Sequence, residues 1–231
     1  MADYYKLLES TIPTYKNLSG VPVKENGEPF AALEKKQFLN GYMPGSDDMK
    51  AILNGKIFVR KTVARMLLRA QEKISKINPS YKLFITYGYR DLSIQTKRFN
   101  EVRKKLLEKF PKKSVTKDDV HRFVAVPYVA GHPTGGAVDL QIYDTKRDAF
   151  LDFGSNQYDY STKKCYVFEK NINVKQKENR MLLRKVMTES GFAPFDGEWW
   201  HFSYGDREWA FYYKKIFAIY AQMIYKNIPI K

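Results

Sequence analysis

The change from helical to strand-like apolar spacing in the middle of the chain constrains its fold most strongly. Over residues 61–77 apolar side chains recur every three or four positions, and Asn78 followed by Pro79 ends the pattern. The next segment, YKLFITYGYR at 81–90, alternates apolar residues up to a turn at Gly88. The sequence therefore predicts a long amphipathic helix followed closely by a strand.

Helical and strand-like segments are also interspersed along the rest of the chain. In chain order we expect a helix at 92–110, a short helix capped by Thr116, a strand at 137–143, a helix from near Asn173 to a cap at Gly191, a strand at EWWHFSYG and an aromatic-rich helix at 206–225. Because the strands are few and several follow loops, an α+β fold fits better than a doubly wound parallel sheet. The length of 231 residues predicts one domain, 1–231.

Glycine and proline are concentrated in residues 20–56, which favours irregular, turn-rich structure. We expect this part of the chain to be a long surface segment. No internal repeat or low-complexity block interrupts the series of elements.

Composition excludes several classes of protein. Aromatic residues make up 15 % of the chain, which is typical of globular proteins. Cys165 is the single cysteine, so a cysteine-rich zinc module and an intrachain disulfide are both excluded. The sequence contains no run of 18 apolar residues, so no transmembrane helix is predicted. Residues 1–20 contain no apolar run long enough for the core of a signal peptide. The chain is expected to be cytoplasmic, or exported by a route that the sequence does not show.

The chain is strongly basic, with 40 Lys and Arg against 25 Asp and Glu and a formal net charge of +15. Such a balance can indicate a nucleic-acid partner. The basic residues are scattered, however, and carry no RNA-binding consensus. We therefore interpret the charge as a solvated surface and predict no nucleic-acid role.

Two short stretches hold the residues for one metal site. GHPTGGAVDL at 131–140 contains His132 and Asp139, and GEWWHFSYG at 197–205 contains Glu198 and His201. Catalytic zinc commonly takes three protein ligands from His, Asp and Glu and leaves a fourth position for a water whose pKa it lowers. His132, Asp139 and His201 can supply that set, with Glu198 placed to take a proton from the water.

Other interpretations of these residues stay open. A single histidine more often has a structural hydrogen-bonding role, and we interpret His121 as a surface or capping histidine. The pair Trp199 and Trp200 can be plain core. Asp139 favours a metal, because a carboxylate inside an apolar strand is costly unless it is paired or bound to an ion.

HPTGGAVD together with EWWH resembles the zinc D-Ala-D-Ala dipeptidases associated with vancomycin resistance. These belong to a wider group of D-Ala-D-Ala carboxypeptidases and Hedgehog-like zinc domains. The resemblance covers residues 16–205 and includes NLSG, ARMLLRAQEKI, GYR, FVAVP and ENRMLLRKVMTESGF in the family's order. It implies a small central, largely antiparallel sheet flanked by helices, with residues 24–55 as an insertion and 206–231 as a helical C-terminal extension.

The resemblance also implies roles for individual residues. His132, Asp139 and His201 would be the ligands of one zinc ion and Glu198 the general base. Arg90 in GYR matches the family arginine that stabilises the oxyanion, a role that suits a fixed guanidinium beside a metal.

The position that receives the substrate's ammonium is matched less closely. FGSNQYD, with one extra residue, makes Asp159 the candidate and Asp152 the alternative. The chain also departs from the family pattern at Tyr87, where an aspartate is common, and at Ala130, where a serine is common.

We therefore expect a zinc peptidase that hydrolyses D-Ala-D-Ala or a similar short peptide containing a D-amino acid. Two alternatives remain open. One is a carboxypeptidase or endopeptidase that uses the same centre on peptidoglycan fragments. The other is a binding module that holds zinc without activity, because a fold does not fix a function.

Overall fold

The computed structural model describes residues 12–44, 46–111 and 114–227. These residues form seven α-helices and eight β-strands. The helices are α1 (Tyr15–Ser19), α2 (Asp47–Ile52), α3 (Lys61–Ile77), α4 (Leu92–Lys109), α5 (Lys117–His121), α6 (Val174–Glu189) and α7 (Arg207–Tyr212). The strands are β1 (Phe30–Ala32), β2 (Leu39–Asn40), β3 (Phe58–Arg60), β4 (Tyr81–Tyr87), β5 (Ala137–Asp144), β6 (Ala149–Phe150), β7 (Ala193–Pro194) and β8 (His201–Ser203).

A six-stranded sheet forms the centre of the fold, in the order β2-β4-β5-β8-β7 with β6 paired to the end of β5. The pairing of β2 with β4 is parallel, and the other pairings in this sheet are antiparallel. Strands β1 and β3 form a separate antiparallel pair. The α+β class and the largely antiparallel central sheet predicted from the sequence are confirmed.

Strand β5 has one side towards the apolar core and the other on the opposite face of the sheet. Val138, Leu140 and Ile142 belong to the main apolar cluster, which also contains the apolar stripes of α3 and α6. Because successive side chains of a strand point to opposite faces, Asp139 and Gln141 lie on the other face. The strand therefore presents polar groups on the face opposite the core.

The helices with clear local signals form as predicted. In α3 the residues Val63, Met66 and Leu67 are buried, and Asn78 ends the helix. Thr116 and Asn173 are each the N-cap of a helix with a capping box. In this motif the N-cap side chain accepts from the backbone N–H three residues later, and the side chain of that residue accepts from the N-cap N–H. No helix in the described part of the chain is long and apolar enough to cross a membrane.

The segment 24–55, predicted as an inserted surface segment, contains regular elements and several buried residues. This segment contributes β1, β2 and α2, and five of its apolar side chains are buried: Phe30, Leu33, Phe38, Met49 and Leu53. Phe30 and Met49 are fully buried in a cluster with Tyr87 and Tyr89. The glycines and prolines mark real turns, but the buried apolar residues between them have no regular period that would reveal their burial.

The prediction of a long helix at 206–225 is wrong, because α7 ends at Tyr212. Lys214 has a positive φ of 50°, which is incompatible with a continuing α-helix. The following residues instead cross the molecule as a strap, in which the backbone N–H groups of Ala218, Ile219 and Met223 donate to carbonyl oxygens of other segments. Residues 228–231 of the predicted extension lie outside the described residues.

The predicted strand EWWHFSYG is shorter than expected. Only His201–Ser203 forms β8, and residues 198–200 form a turn before it. The Trp199 N–H donates to the carbonyl oxygen of Cys165, which holds this turn against a neighbouring loop. Trp199 and Trp200 are both buried in the main apolar cluster.

Candidate metal centre

Three elements bring His132, Asp139 and His201 together on the polar face of the sheet. His132 begins a short 3-10 turn, His132–Thr134, directly before β5. Asp139 lies within β5 and is the direct partner of His201, the first residue of β8. The three side chains are buried, and one ligand atom from each lies within 4.8 Å of the others. The structure therefore assembles the set of residues that the sequence predicted.

Hydrogen bonds fix the direction of each imidazole ring. His132 Nδ1 lies 2.8 Å from the carbonyl oxygen of Gly88, while Nε2 lies 3.3 Å from Asp139 Oδ2. His201 Nδ1 lies 2.9 Å from Asp139 Oδ1, and Nε2 lies 3.2 Å from Glu208 Oε2. Each ring thus turns one nitrogen towards Asp139 and the other towards an outer acceptor.

This arrangement fits a metal ion. Histidine ligands of metals usually donate their second N–H to a carbonyl or carboxylate, which fixes the tautomer and the ring orientation. By this criterion His132 would offer Nε2 and His201 would offer Nδ1, with Asp139 supplying a carboxylate oxygen. A donor set of two imidazoles and one carboxylate suits zinc.

The same contacts set the protonation of the three groups. Burial would raise the pKa of Asp139, but the facing rings of His132 and His201 hold it well below its usual value. Burial lowers the pKa of His132, which keeps that ring neutral. Burial acts in the same direction on His201, yet Glu208 and Asp139 raise its pKa well above the usual value. A metal at Nδ1 of His201 would displace the proton that faces Asp139, while the proton on Nε2 would stay directed at Glu208.

Glu198 lies on the turn before β8 and lines the same cleft. The Tyr160 hydroxyl donates a hydrogen bond of 2.8 Å to Glu198 Oε1. Loss of hydration raises the pKa of Glu198 to about 7, which is suited to a group that takes up and releases a proton near neutral pH. Its position on a turn brings this carboxylate to the cleft that His132, Asp139 and His201 line.

Arg90 follows the end of β4 and is held rigidly in the wall of the cleft. Its guanidinium donates to Gln95 Oε1 at 2.7 Å and to the Tyr87 hydroxyl at 3.2 Å. The guanidinium also lies over the Tyr87 ring, 4.6 Å from its centroid, and the same ring packs edge-on against His132. Tyr87, at the position where the resemblance implies an aspartate, thereby links Arg90 to the ring of His132.

The structure does not bring Asp159 to this cleft. Its carboxylate accepts hydrogen bonds from the backbone N–H and the hydroxyl of Ser161. Asp152 is also elsewhere and accepts from Gly154 N–H and from Gln176. Tyr158, the residue before Asp159, does reach the cleft, where its hydroxyl donates to Asp139 Oδ2 at 3.0 Å.

His121 is buried, so its interpretation as a surface histidine is wrong. Its Nδ1 accepts a hydrogen bond of 3.1 Å from the backbone N–H of Val126. His121 therefore has a structural hydrogen-bonding role, but in the interior and not at the surface. The ring also lines the cleft.

Glu208, like Tyr158 and Tyr160, lines the cleft and was not predicted from the sequence. It lies in the first turn of α7, whose N-cap is Asp206, and its carboxylate reaches His201 Nε2. Its position seven residues after a candidate ligand was the available signal, but an acidic residue in a first helical turn is common for helix stability alone.

Two histidines and a carboxylate converge in one cleft of this α+β chain, and a second carboxylate with a raised pKa lies beside them. This is the arrangement of a hydrolase that uses a metal ion. A family comparison makes the class specific. Residues 50–222 match the family model described as D-ala-D-ala dipeptidase, and the chain belongs to this family.

Curated relatives agree with this assignment. The chain is 25 % identical to a D-alanyl-D-alanine dipeptidase from Synechocystis, over 84 % of this chain and 89 % of the relative. It is 35 % identical to a D-alanyl-D-alanine dipeptidase from Enterococcus faecalis over 32 % of this chain and 38 % of that relative. These comparisons identify the chain as a peptidase.

Solved structures of peptidases are more distant. The vancomycin resistance D,D-dipeptidase VanXYg, solved with a D-Ala-D-Ala phosphinate analogue, is 20 % identical with a TM-score of 0.39, over 84 % of this chain and 66 % of that chain. The LD-carboxypeptidase LdcB is 21 % identical with a TM-score of 0.36, over 65 % of this chain and 60 % of that chain.

Proposed function

We propose that this chain is a zinc-dependent peptidase that hydrolyses D-Ala-D-Ala or a similar short peptide containing a D-amino acid. One observation carries the proposal: His132, Asp139, His201 and Glu198 line a single cleft of about 260 Å³ in a chain of the dipeptidase family. The convergence of two segments distant in sequence on one site supports a catalytic role better than either segment alone.

His132, Asp139 and His201 would hold one zinc ion. A bound zinc would polarise the scissile carbonyl group and lower the pKa of a water molecule at the site. Glu198 would accept a proton from the attacking water and pass it to the leaving amine. Its hydrogen bond from Tyr160 orients the carboxylate for both transfers.

Arg90 would stabilise the negative charge that develops on the carbonyl oxygen. Its contacts with Gln95 and Tyr87 fix the guanidinium before substrate binds, so little reorganisation is needed as charge develops. The guanidinium lies in the same wall of the cleft as the ring of His132.

These two side chains also argue against a zinc-bearing binding module. A metal that serves only structure needs neither a base nor a fixed cation beside it. In this cleft Glu198 and Arg90 both line the space next to the three ligands.

The test is the release of amine from D-Ala-D-Ala by the purified protein, with and without a chelator, together with its zinc content. We expect about one zinc per chain, turnover that the chelator abolishes and zinc restores, and loss of the metal in His132→Ala, Asp139→Ala and His201→Ala. Protein that holds zinc but releases no amine from any D,D-, L,D- or L,L-peptide would contradict a catalytic function. A variant with full zinc content would remove its residue from the ligand set.

A further inference from the structure

The turn that follows α7 exposes several large apolar side chains close together in the chain. Phe211 and Tyr212, at the end of the helix, are exposed, and Ile216 is 85 % exposed. No other large apolar side chain of the described residues is as exposed as Ile216. Single exposed apolar side chains are common, but a group of them on one turn points to an interaction surface. We call residues 211–217 the aromatic turn.

Backbone contacts fix the shape of the aromatic turn. Helix α7 ends at Tyr212, and the positive φ of Lys214 turns the chain away from the helix axis. The Lys215 N–H then donates to the carbonyl oxygen of Ala210 at 2.8 Å, which closes the turn on the end of the helix. The exposed side chains are therefore presented by a defined turn and not by a free chain end.

A second segment, residues 15–24, lies directly beside the aromatic turn. The Ala218 N–H donates to the carbonyl oxygen of Pro22, and the Lys24 N–H donates to the carbonyl oxygen of Ala218. Lys24 Nζ also lies over the ring of Phe217, 4.5 Å from its centroid. Helix α1, at the start of this segment, packs against α7. The two segments form one surface, which we call the basic-aromatic face.

The basic-aromatic face is positively charged. Residues 15–24 and 211–217 contain no acidic residue and four lysines: Lys16, Lys24, Lys214 and Lys215. All four lysines are exposed. The acidic residues of α7 do not offset this charge, because Asp206 is buried and Glu208 contacts His201 in the metal cleft. The face therefore combines positive charge with exposed apolar side chains.

This combination matches the surface of a bilayer that contains anionic lipids. Tyrosine rings favour the boundary between headgroups and acyl chains, where an apolar ring and a polar hydroxyl are both satisfied. Each lysine near an anionic bilayer strengthens binding about fivefold. Apolar side chains such as Phe211 and Ile216 can enter the acyl boundary, whereas a polyanion in water would leave them exposed.

A second copy of the chain fits this face less well. In a symmetric dimer the same patch of both chains meets, so the four lysines of each copy would face those of the other. Like charges brought together across an interface oppose association. The formal net charge of +15 acts in the same direction, whereas it attracts the protein to an anionic surface.

We propose that the basic-aromatic face docks the protein on bilayers that contain anionic phospholipid, with Ile216 and the aromatic rings at the acyl boundary and the four lysines at the headgroups. The attachment is peripheral, because the apolar side chains of one turn enter the interface without crossing the bilayer. Docking is independent of the peptidase function, since it uses none of the residues that line the metal cleft.

The test is co-sedimentation of the purified protein with vesicles of phosphatidylcholine alone and of phosphatidylcholine mixed with an equal amount of phosphatidylglycerol. We expect at least about tenfold stronger binding to the anionic vesicles, which weakens as salt rises because exposed charges are screened. Ile216→Asp should lower the affinity for them by at least about tenfold, because a charge replaces the inserted side chain. Lys214→Glu combined with Lys215→Glu should lower it by at least about 25-fold, since two attractions are lost.

Matched substitutions at the start of α6 are the controls. Val174→Asp changes another exposed apolar residue, and Lys175→Glu combined with Lys177→Glu reverses two other exposed lysines. The Tyr213 hydroxyl donates to the carbonyl oxygen of Phe192, which lies past the opposite end of this 16-residue helix. Because such a helix is about 24 Å long, both controls lie far from the aromatic turn and should bind anionic vesicles as the native sequence does.

The outcomes distinguish a bilayer from other occupants of the face. Equal binding to both kinds of vesicle would overturn the proposal, as would binding that Ile216→Asp and the double lysine variant leave intact. A dimer that Ile216→Asp dissociates, without binding to vesicles, would assign the face to contact between copies. Binding to duplex DNA but not to vesicles would assign it to nucleic acid. Turnover of D-Ala-D-Ala in solution should be the same in all these variants, so failure of docking and failure of the peptidase proposal are separate results.

Discussion

In the proposed mechanism Glu198 is the base and His132, Asp139 and His201 hold the metal, and single substitutions can separate the two roles. Glu198→Gln keeps the shape of the side chain but cannot accept a proton. We expect it to retain zinc and to lose about 10²–10⁴-fold in kcat, the usual range for the loss of a general base. Steady-state kinetics and metal analysis of the same preparation measure both quantities.

Glu169→Gln is the matched control for this substitution. Glu169 is also buried, and its carboxylate accepts a hydrogen bond from the Asn171 N–H away from the cleft. Its substitution should leave kcat unchanged. Near-native turnover by Glu198→Gln would show that another group takes the proton.

We expect Glu208 to influence metal binding through His201. Its carboxylate faces Nε2, which leaves Nδ1 directed at Asp139. Removing a partner of this kind typically costs about 10–100-fold in metal affinity, so Glu208→Ala should bind zinc more weakly by that factor. Competition with a chromogenic chelator measures the affinity.

Glu208→Gln tests whether the hydrogen bond itself matters, because the amide oxygen can still accept from the ring N–H. Zinc affinity should recover in part with this variant. Unchanged affinity in Glu208→Ala would mean that the strand pairing of His201 with Asp139 is sufficient to position the ring.

Arg90 is expected to act on the transition state more than on the bound substrate. Arg90→Ala should lower kcat by about 10²–10³-fold, the cost of losing an oxyanion donor, with a smaller change in KM. Arg90→Lys should recover only part of the rate, because an ammonium lacks the planar fork that donates to both Gln95 and Tyr87. A normal kcat with a much higher KM would instead place Arg90 at the substrate's carboxylate.

The elements that the sequence predicted correctly are those whose signals are local. Helix α3 has a continuous apolar stripe and a stop at Asn78, and α6 has a capping residue at Asn173. Strand β5 has an apolar run with one buried carboxylate, and this run identified the strand. Each of these features needs only neighbouring residues to be recognised.

The elements that were predicted wrongly depend on distant partners. Phe30 is buried because β1 pairs with β3, and the strap after Tyr212 is fixed by bonds to Pro22, Gly205 and Pro133. Apolar periodicity near either segment does not report such contacts. The same holds within the site, where the meeting of Glu208 with His201 depends on how α7 follows β8.

The end of β4 supports the metal site through its backbone. The Gly88 carbonyl oxygen lies 2.8 Å from His132 Nδ1, and a Cβ atom at Gly88 would lie 2.5 Å from the carbonyl oxygen of Phe58. The added Cβ would clash with the backbone of Phe58, which has no flexible end that can move aside. Gly88→Ala must therefore displace β3 or β4. We expect a loss of about 1–3 kcal/mol in the free energy of unfolding, as for other overpacked sites, with weaker zinc binding.

Denaturant unfolding and zinc competition measure the two effects of Gly88→Ala. Gly20→Ala is the control, because the nearest atom to its added Cβ would be 3.7 Å away. Weaker zinc binding without a change in unfolding free energy would restrict the effect to the site. Native values of both would show that the strands absorb the added methyl group.

The metal centre joins parts of the chain that are far apart in sequence. His132 precedes β5, His201 begins β8, and the carbonyl of Gly88 belongs to the end of β4. The strap adds a fourth segment, since the Met223 N–H donates to the carbonyl oxygen of Pro133, the residue after His132. A bound ion would therefore stabilise long-range contacts of the fold as well as the site.

Removal of the metal should accordingly lower the thermal stability of the entire protein. A ligand that binds only the folded state stabilises it by RT ln(1 + [L]/Kd), or about 2.7 kcal/mol at a free concentration of 100 times Kd. For a chain of this size about 1 kcal/mol corresponds to roughly 2–4 °C, so zinc should raise Tm by about 5–10 °C over the chelated protein. Asp139→Ala should show no such difference between zinc and chelator, because it lacks the carboxylate that faces both rings. Equal Tm values for the native sequence in zinc and in chelator would mean that the folded protein does not hold the ion at His132, Asp139 and His201.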